Sequence, residues 1–368
     1  MNGLHKFIKN EIVMLLSLVL AVVSAFFVAP STKYINYIDI RTLALLFCLM
    51  TVMAGLNKLG VFKVLAKKIL VKVNTLFGLV LTFVSLCFFS SMIITNDVAL
   101  ITFVPFTIVT FKMAGENNKL IYAITLETVA ANLGSMFTPI GNPQNLYLFS
   151  AYNMEITDFF KTLFPYALLS FVLLIFASVF VGKKEVSVSD TYEAEKINIG
   201  LLVFYIVLFA LALLSVFRVI NFYSLLVFVI VMVLIFDRKA LLKVDYSLLL
   251  TFVFLFIFIG NLGNIPSISA FLHKIVEGNE VMTGVVTSQV FSNVPAAILL
   301  SGFTSNAHEL LIGVNLGGLG TFIASMASLI SFKFLQKEKV SALKYLVVFS
   351  VVNIVFLLLN LCLWMIMK

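Results

Sequence analysis

The sequence predicts an all-α polytopic membrane protein. About nine transmembrane helices and two re-entrant hairpins are expected, in two inverted-topology repeats with broken helices. Three observations carry that prediction. The 368-residue chain is 62% hydrophobic and only 11% charged, where soluble domains carry about 25% charged residues. Its apolar stretches are continuous, as in 12–28 and 248–259, and several approach the length of about 20 residues that spans a bilayer. Polar and Gly/Pro interruptions recur at matching places in two halves of the chain, which is the mark of an internal repeat.

These features exclude whole classes. A soluble enzyme or nucleic-acid binder this apolar could not cover its surface with polar groups. A transmembrane β-barrel would alternate in segments of about ten residues. The excess of 25 Lys+Arg over 17 Asp+Glu, a net +8, lies in short loops between spans, where it sets orientation. Cys48, Cys87 and Cys362 sit inside apolar runs at no metal-ligand spacing and are read as small core residues.

The elements follow in order. Residues 1–39 hold a first span at 11–30. Lys6 and Lys9 precede it and it is too long for a signal-peptide core, so it reads as uncleaved. Residues 40–181 form the first repeat. It opens with a span at 40–56 and a Lys-rich amphipathic stretch (Lys58, Lys63, Lys67, Lys68, Lys72) suited to the interface. Two apolar arms, 76–94 and 98–111, then meet at Thr95-Asn96-Asp97. An apolar stretch at 120–150 is broken between 132 and 145, and a span at 162–181 follows. Residues 182–246 hold a charged linker and two connecting spans. The second repeat, 247–368, runs through a span at 247–259, an amphipathic stretch to 277, arms meeting at 292–295, a broken helix around 315–325 and a last span at 341–367.

The repeat aligns in three blocks. Residues 55–69 match 261–275. Ser91, Thr95, Asn96 and Ala99 match Ser288, Ser292, Asn293 and Ala296. Asn132-Leu133-Gly134, Thr138 and Ile140 match Asn315-Leu316-Gly317, Thr321 and Ile323. The offsets are 206, 197 and 183, so order is kept while linkers shorten. With the N-terminus inside and each hairpin returning to its own side, 19 of the 25 basic residues are cytoplasmic and 6 external. In that topology the repeats are inverted, the construction of secondary transporters. Helix breaks leave backbone groups that lipid cannot satisfy. Freed carbonyls suit a cation, and helix N-termini suit an anion.

Single residues carry two readings each. Asp97 is an acid near mid-membrane, read as a cation or proton site or as a helix N-cap. Glu127 is either a second protonatable site facing the core or a cytoplasmic-end carboxylate paired with a lysine such as Lys119. The segment 134–145 is too polar for a simple kink, and 317–321 is either a second ion site or a helix-packing face. His308-Glu309 lacks an HExxH context and reads as a polar loop. Neither a hydrolytic triad nor a nucleotide-binding motif is visible, so the chain reads as a transporter and not an enzyme.

Thr95-Asn96-Asp97, the run from Asn132 through Gly134, Thr138, Pro139, Gly141 and Asn142 to Asn145, and Ser292-Asn293-Val294-Pro295 resemble the ion transporter superfamily. That group holds divalent anion/sodium symporters, citrate transporters, arsenite permeases and sodium/proton antiporters. The likeness covers about residues 40–367. It implies a scaffold part, a mobile transport part moving as an elevator, and a homodimer. In the symporters a Ser-Asn-Thr at each tip binds substrate carboxylate and helps form a sodium site. Here the hydroxyl carries over to Thr95 and Ser292 and the amide to Asn96 and Asn293, while Asp97 and Val294 replace the third residue. Asn-Asp at the first tip looks more like the arsenite and sodium/proton branches.

The resulting expectation is a secondary active transporter in the cell membrane, N-terminus cytoplasmic. It moves a small carboxylate or inorganic oxyanion, coupled to sodium or protons. The alternative is a sodium/proton antiporter on the same scaffold. Substrate contacts are expected at Thr95, Asn96, Asp97, Thr138, Pro139, Asn142, Ser292, Asn293, Val294, Pro295 and Thr321. Ion coupling is expected at Asn96, Asp97, Glu127, Gly134, Gly141, Asn145, Asn293, Gly317 and Gly318, with sodium at the two tip-and-break sites. No cofactor beyond Na+ or H+ and no nucleic acid is expected. No Lys or Arg lies in these motifs, so an anion would rely on cations, amides and helix N-termini.

Overall fold

The computed structural model describes residues 11–62, 64, 73–186, 197–338 and 340–368. Most of the Lys-rich amphipathic stretch and of the charged linker lies outside the described residues. Among the described residues the elements are helical and no strand is formed beyond one isolated bridge, Thr75 to Glu185. Among the described residues, seven helices are long and apolar enough to cross a membrane, and two shorter apolar helices accompany them.

The chain begins with α1 (Ile12–Ala25), a short α2 (Lys33–Tyr37) and α3 (Ile40–Lys58). Asn261 pins the start of the chain to the later bundle: its Nδ2 donates to Ser24 Oγ and to Tyr34 Oη, both at 2.9 Å. α4 (Leu76–Ile94) and α5 (Asn96–Met113) are the first hairpin, reversing at Thr95. α6 (Leu120–Ser135) and α7 (Pro143–Ala151) are the halves of the first broken helix, and α8 (Ile156–Val179) follows. α9 (Ile199–Val216), α10 (Phe222–Phe236) and the single turn α11 (Arg238–Leu241) lead to α12 (Tyr246–Gly263) and α13 (Pro266–Val276). α14 (Glu280–Phe291) and α15 (Asn293–Ser301) are the second hairpin, reversing at Ser292. α16 (Ala307–Leu316) and α17 (Met326–Lys337) are the second broken helix, and α18 (Ala342–Met367) ends the chain.

The long apolar helices at the periphery show one exposed and one buried face, while α6 is buried nearly all round. On α8, Phe164, Leu168, Val172 and Phe176 are exposed, while Leu163, Tyr166, Ser170 and Leu174 are buried. Apolar side chains facing outward cost nothing in a bilayer, so this exposure fits a membrane protein. Buried contacts between helices depend on glycine. A Cβ at Gly134 would lie 2.1 Å from Phe88 O, so α6 meets α4 backbone to backbone. A Cβ at Gly317 would lie 2.6 Å from Ser288 Oγ, the matching contact between α16 and α14. At Gly55 the ring of Tyr205 takes the room a side chain would need. Tyr205 Oη donates to Asp237 at 3.0 Å, and Lys58 Nζ donates to both oxygens of the same carboxylate at 2.9 Å. That triad ties α3, α9 and the end of α10 together.

Three local readings are corrected. His308 and Glu309 are not loop residues but the first turn of α16, because Asn306 Oδ1 accepts from Glu309 N and starts the helix there. Glu309 accepts from Trp364 Nε1 at 3.0 Å, and His308 Nδ1 shares a 2.7 Å hydrogen bond with Thr162 Oγ1. Cys362 is exposed on the terminal helix and is no core residue, unlike Cys48 and Cys87. Glu127 is not at a cytoplasmic helix end: it is fully buried in the middle of α6, and no lysine among the described residues pairs with it.

Candidate functional site

The two hairpin reversals have one backbone conformation. Thr95 has φ 74°, ψ 154° and Ser292 has φ 72°, ψ 155°. Non-glycine residues almost never occupy that region, at a cost of about 1–3 kcal/mol each. The strain reverses the chain within one residue, so α5 and α15 begin at the tips. Asn96 Oδ1 accepts from Asp97 N at 2.9 Å, and Asn293 N donates to Ala324 O at 3.0 Å. The helix cap is thus made by neighbours: Asp97 lies in the first turn of α5 and is not its N-cap.

Both tips line one cavity of about 1610 Å³. Thr95, Asp97, Asn142 and Ser292 are on its wall. Asn142 also caps α7, accepting from Asn145 N at 3.0 Å, with Pro143 preset for the first helical position. A helix N-terminus therefore opens at the cavity, a place that favours negative charge. Val294 and Pro295 lie with Ser292 beside a smaller adjoining cavity of about 30 Å³.

The remaining expected residues lie off the cavity wall and hold the breaks. Asn96 Nδ2 donates to Asn132 Oδ1 at 3.1 Å. Thr138 Oγ1 donates to Met92 O, and Thr321 Oγ1 donates to Gln289 O at 3.1 Å, the same contact in each half. Pro139 is buried in the turn between α6 and α7. Gly134 and Gly141 let backbones touch, a Cβ at Gly141 lying 2.0 Å from Ser135 O, while Gly317 makes room for the Ser288 side chain. Gly318 leaves room for Asn293 Nδ2, which a Cβ there would approach to 3.0 Å. Asn145 is wholly buried and donates to the carbonyls of the break. Glu127 is not brought to the cavity wall. It is packed against Cys87, whose Sγ lies 3.8 Å from Glu127 Oε2, and its Oε1 has no hydrogen-bond partner.

The structure adds residues that motif reasoning passed over. Lys58, Lys239, Lys243 and Lys333 line the same cavity, from the ends of α3 and α11, the loop after it and the last turns of α17. Asp97 and Asp245 are the carboxylates on its wall. Lys58 is paired with Asp237, while no ion pair among the described residues engages Lys239, Lys243 or Lys333. No Lys or Arg lies in the motifs themselves, and these lysines reach the wall that the tips share from distant parts of the sequence. Gln289 and Ser325 are also new. Ser325 caps α17 and donates to Asn132 Oδ1 at 2.9 Å.

A membrane-embedded helical bundle with two strained tips and two broken helices around one charged cavity is the architecture of a membrane transporter. Comparison with known proteins agrees. A family model described as "Citrate transporter" matches residues 4–329, and the chain belongs to that family, within the ion transporter superfamily. It is 34% identical over 324 residues to the uncharacterized transporter MJ0456 of Methanocaldococcus jannaschii, covering 88% of each chain. It is 31% identical over 318 residues to the inner membrane protein YbiR of Escherichia coli, covering 82% of each.

Proposed function

We propose that the protein is a secondary active transporter that moves a small carboxylate or inorganic oxyanion across the cell membrane, coupled to sodium or protons. Residues 40–181 and 247–368 form two inverted repeats, and 1–39 and 182–246 supply the remaining spans. The N-terminus is cytoplasmic. The carrying observation is the placement of both tips, Thr95 and Ser292, on one cavity whose wall holds four lysines against two aspartates. The lysines raise the local concentration of anions. The hydroxyls of the tips and the N-terminus of α7 then receive the anion. Asp97 sits beside it and exchanges charge during the cycle.

The construction supports an alternating-access cycle. Hairpins and broken helices are joined to each other by buried polar bonds and move together as an elevator, while α3 and α9–α12 stay fixed as the scaffold of a homodimer. The second reading is a sodium/proton antiporter, favoured by one observation: Asp97 Oδ1 is buried at the cavity without a hydrogen-bond partner.

The test uses purified protein in liposomes with an internal pH dye. Sodium gradients are imposed with and without citrate, succinate, sulfate, phosphate or arsenite. Proton movement that requires one of the anions supports the proposal and names the substrate. Proton movement with sodium alone, unchanged by every anion, rejects it in favour of the antiporter.

A further inference from the structure

The helix breaks are where a membrane transporter can offer backbone carbonyls to a metal cation. Here each break already holds an amide nitrogen among those carbonyls. Asn145 Nδ2 donates to Met136 O at 2.8 Å and Thr138 O at 3.1 Å, with Ser135 O at 3.4 Å. Gln289 Nε2 donates to Gly317 O at 2.9 Å, Leu319 O at 3.0 Å and Val285 O at 3.1 Å. Each nitrogen has three carbonyl oxygens around it and turns N–H groups, not a lone pair, toward them.

Both amides are locked in that orientation by what their oxygens accept. Asn145 Oδ1 accepts from Asn315 Nδ2 at 2.6 Å. Gln289 Oε1 accepts from Thr321 N at 2.7 Å, and a Cβ on Gly320 would lie 2.4 Å from it. Turning either amide over would place oxygen against oxygen and leave the donors Asn315 Nδ2 and Thr321 N facing an amide nitrogen. The two amides do not occupy equivalent positions. At the offset of 183, Asn145 corresponds to Ser328; at the offset of 197, Gln289 corresponds to Met92. Neither counterpart has an amide, so each half carries one, from the broken helix in the first half and from the hairpin in the second. Different positions in the two halves thus reach the same arrangement.

Sodium bound at these carbonyls would have to displace a tethered donor that already satisfies them, so the breaks do not fit the ion. Asp97 differs: one carboxylate oxygen is buried at the cavity with no hydrogen-bond partner. The ionisable groups that share the cavity wall with it are Asp245, Lys58, Lys239, Lys243 and Lys333.

We infer that the two break amides, of Asn145 and Gln289, stand in for a coupling cation, and that transport is driven by protons taken up at Asp97 and not by sodium. The proton binds the Asp97 carboxylate while the cavity is open to one side and leaves from the same oxygen when it is open to the other. This inference rests on the transporter reading above and names its coupling ion.

The experiment compares thermal unfolding of the purified full chain in sodium chloride and choline chloride at equal ionic strength. An ion bound only by the folded state raises the midpoint with its concentration. The expected result is equal midpoints for the wild type. Gln289→Glu, which puts a carboxylate among the same carbonyls, is expected to acquire a sodium-specific rise. A sodium-specific rise in the wild type overturns the inference. In liposomes, coupled ligands change each other's binding by about 5–150-fold, so anion uptake driven by a pH gradient should change by less than about twofold when choline replaces sodium. A larger loss overturns the inference as well. If no anion is carried under any gradient, the transporter reading fails, while the unfolding comparison still decides whether sodium binds.

Discussion

Asn132 in the first half accepts a 2.9 Å hydrogen bond from Ser325 in the second, and Asn315 accepts the matching bond from Asn142 at 3.3 Å with the halves exchanged. Each bond joins the end of one broken helix to the N-cap of the other half's second half-helix. Asn132 also accepts from Asn96 at the first tip. The two breaks and a hairpin therefore share one buried polar network, and a shift in any member is felt by the others.

Removing a hub of this network leaves buried donors unmet. Asn132→Ala strands Asn96 Nδ2 and the Ser325 hydroxyl, and Asn315→Ala leaves Asn142 Nδ2 with Ser135 Oγ alone and takes the donor from Asn145 Oδ1. Each substitution is expected to destabilise the protein by about 1–3 kcal/mol, read as a lower unfolding midpoint in detergent. Midpoints equal to the wild type in both would mean that the network carries no stability.

Gly134 and Gly317 differ in what a methyl group would strike. At Gly134 it meets the Phe88 carbonyl, a backbone atom held in a helix; at Gly317 the nearest atoms belong to the Ser288 side chain. Gly134→Ala is expected to cost about 1–3 kcal/mol by overpacking, and Gly317→Ala less. Unfolding midpoints and expression levels give the order directly, and the reverse order would contradict the packing described here.

Thr95 stores backbone strain that glycine would release. Thr95→Gly relieves about 1–3 kcal/mol against about 0.5–1 kcal/mol of added chain entropy in the unfolded state. The midpoint is expected to hold or rise, while uptake falls because the hydroxyl at the tip is lost. A gain in stability with full uptake would remove Thr95 from the binding site.

The tips and breaks were legible in the sequence because bilayer helices advertise their interruptions. Polar and Gly/Pro residues inside long apolar runs stand out, and the offsets of 197 and 183 pair Thr95 with Ser292 and Thr138 with Thr321. The lysines of the cavity were not legible as site residues. Lys58, Lys239, Lys243 and Lys333 come from separate helix ends, and their spacing along the chain holds no trace of the shared wall. Gln289 was hidden for another reason: its partner position in the repeat is Met92, so the alignment pointed away from it. Glu127 stood out as a charge in an apolar helix, but its packing against Cys87, off the cavity wall, left no trace in the sequence.

Asp97 carries the central claim, that anion movement is driven by charge exchange at the first tip. The most direct measurement is gradient-driven uptake by Asp97→Asn beside the wild type in liposomes, at matched protein incorporation and with folding checked by its unfolding midpoint. The account predicts that the variant folds and no longer accumulates anion against its gradient. Normal pH- or sodium-dependent accumulation by Asp97→Asn would contradict it.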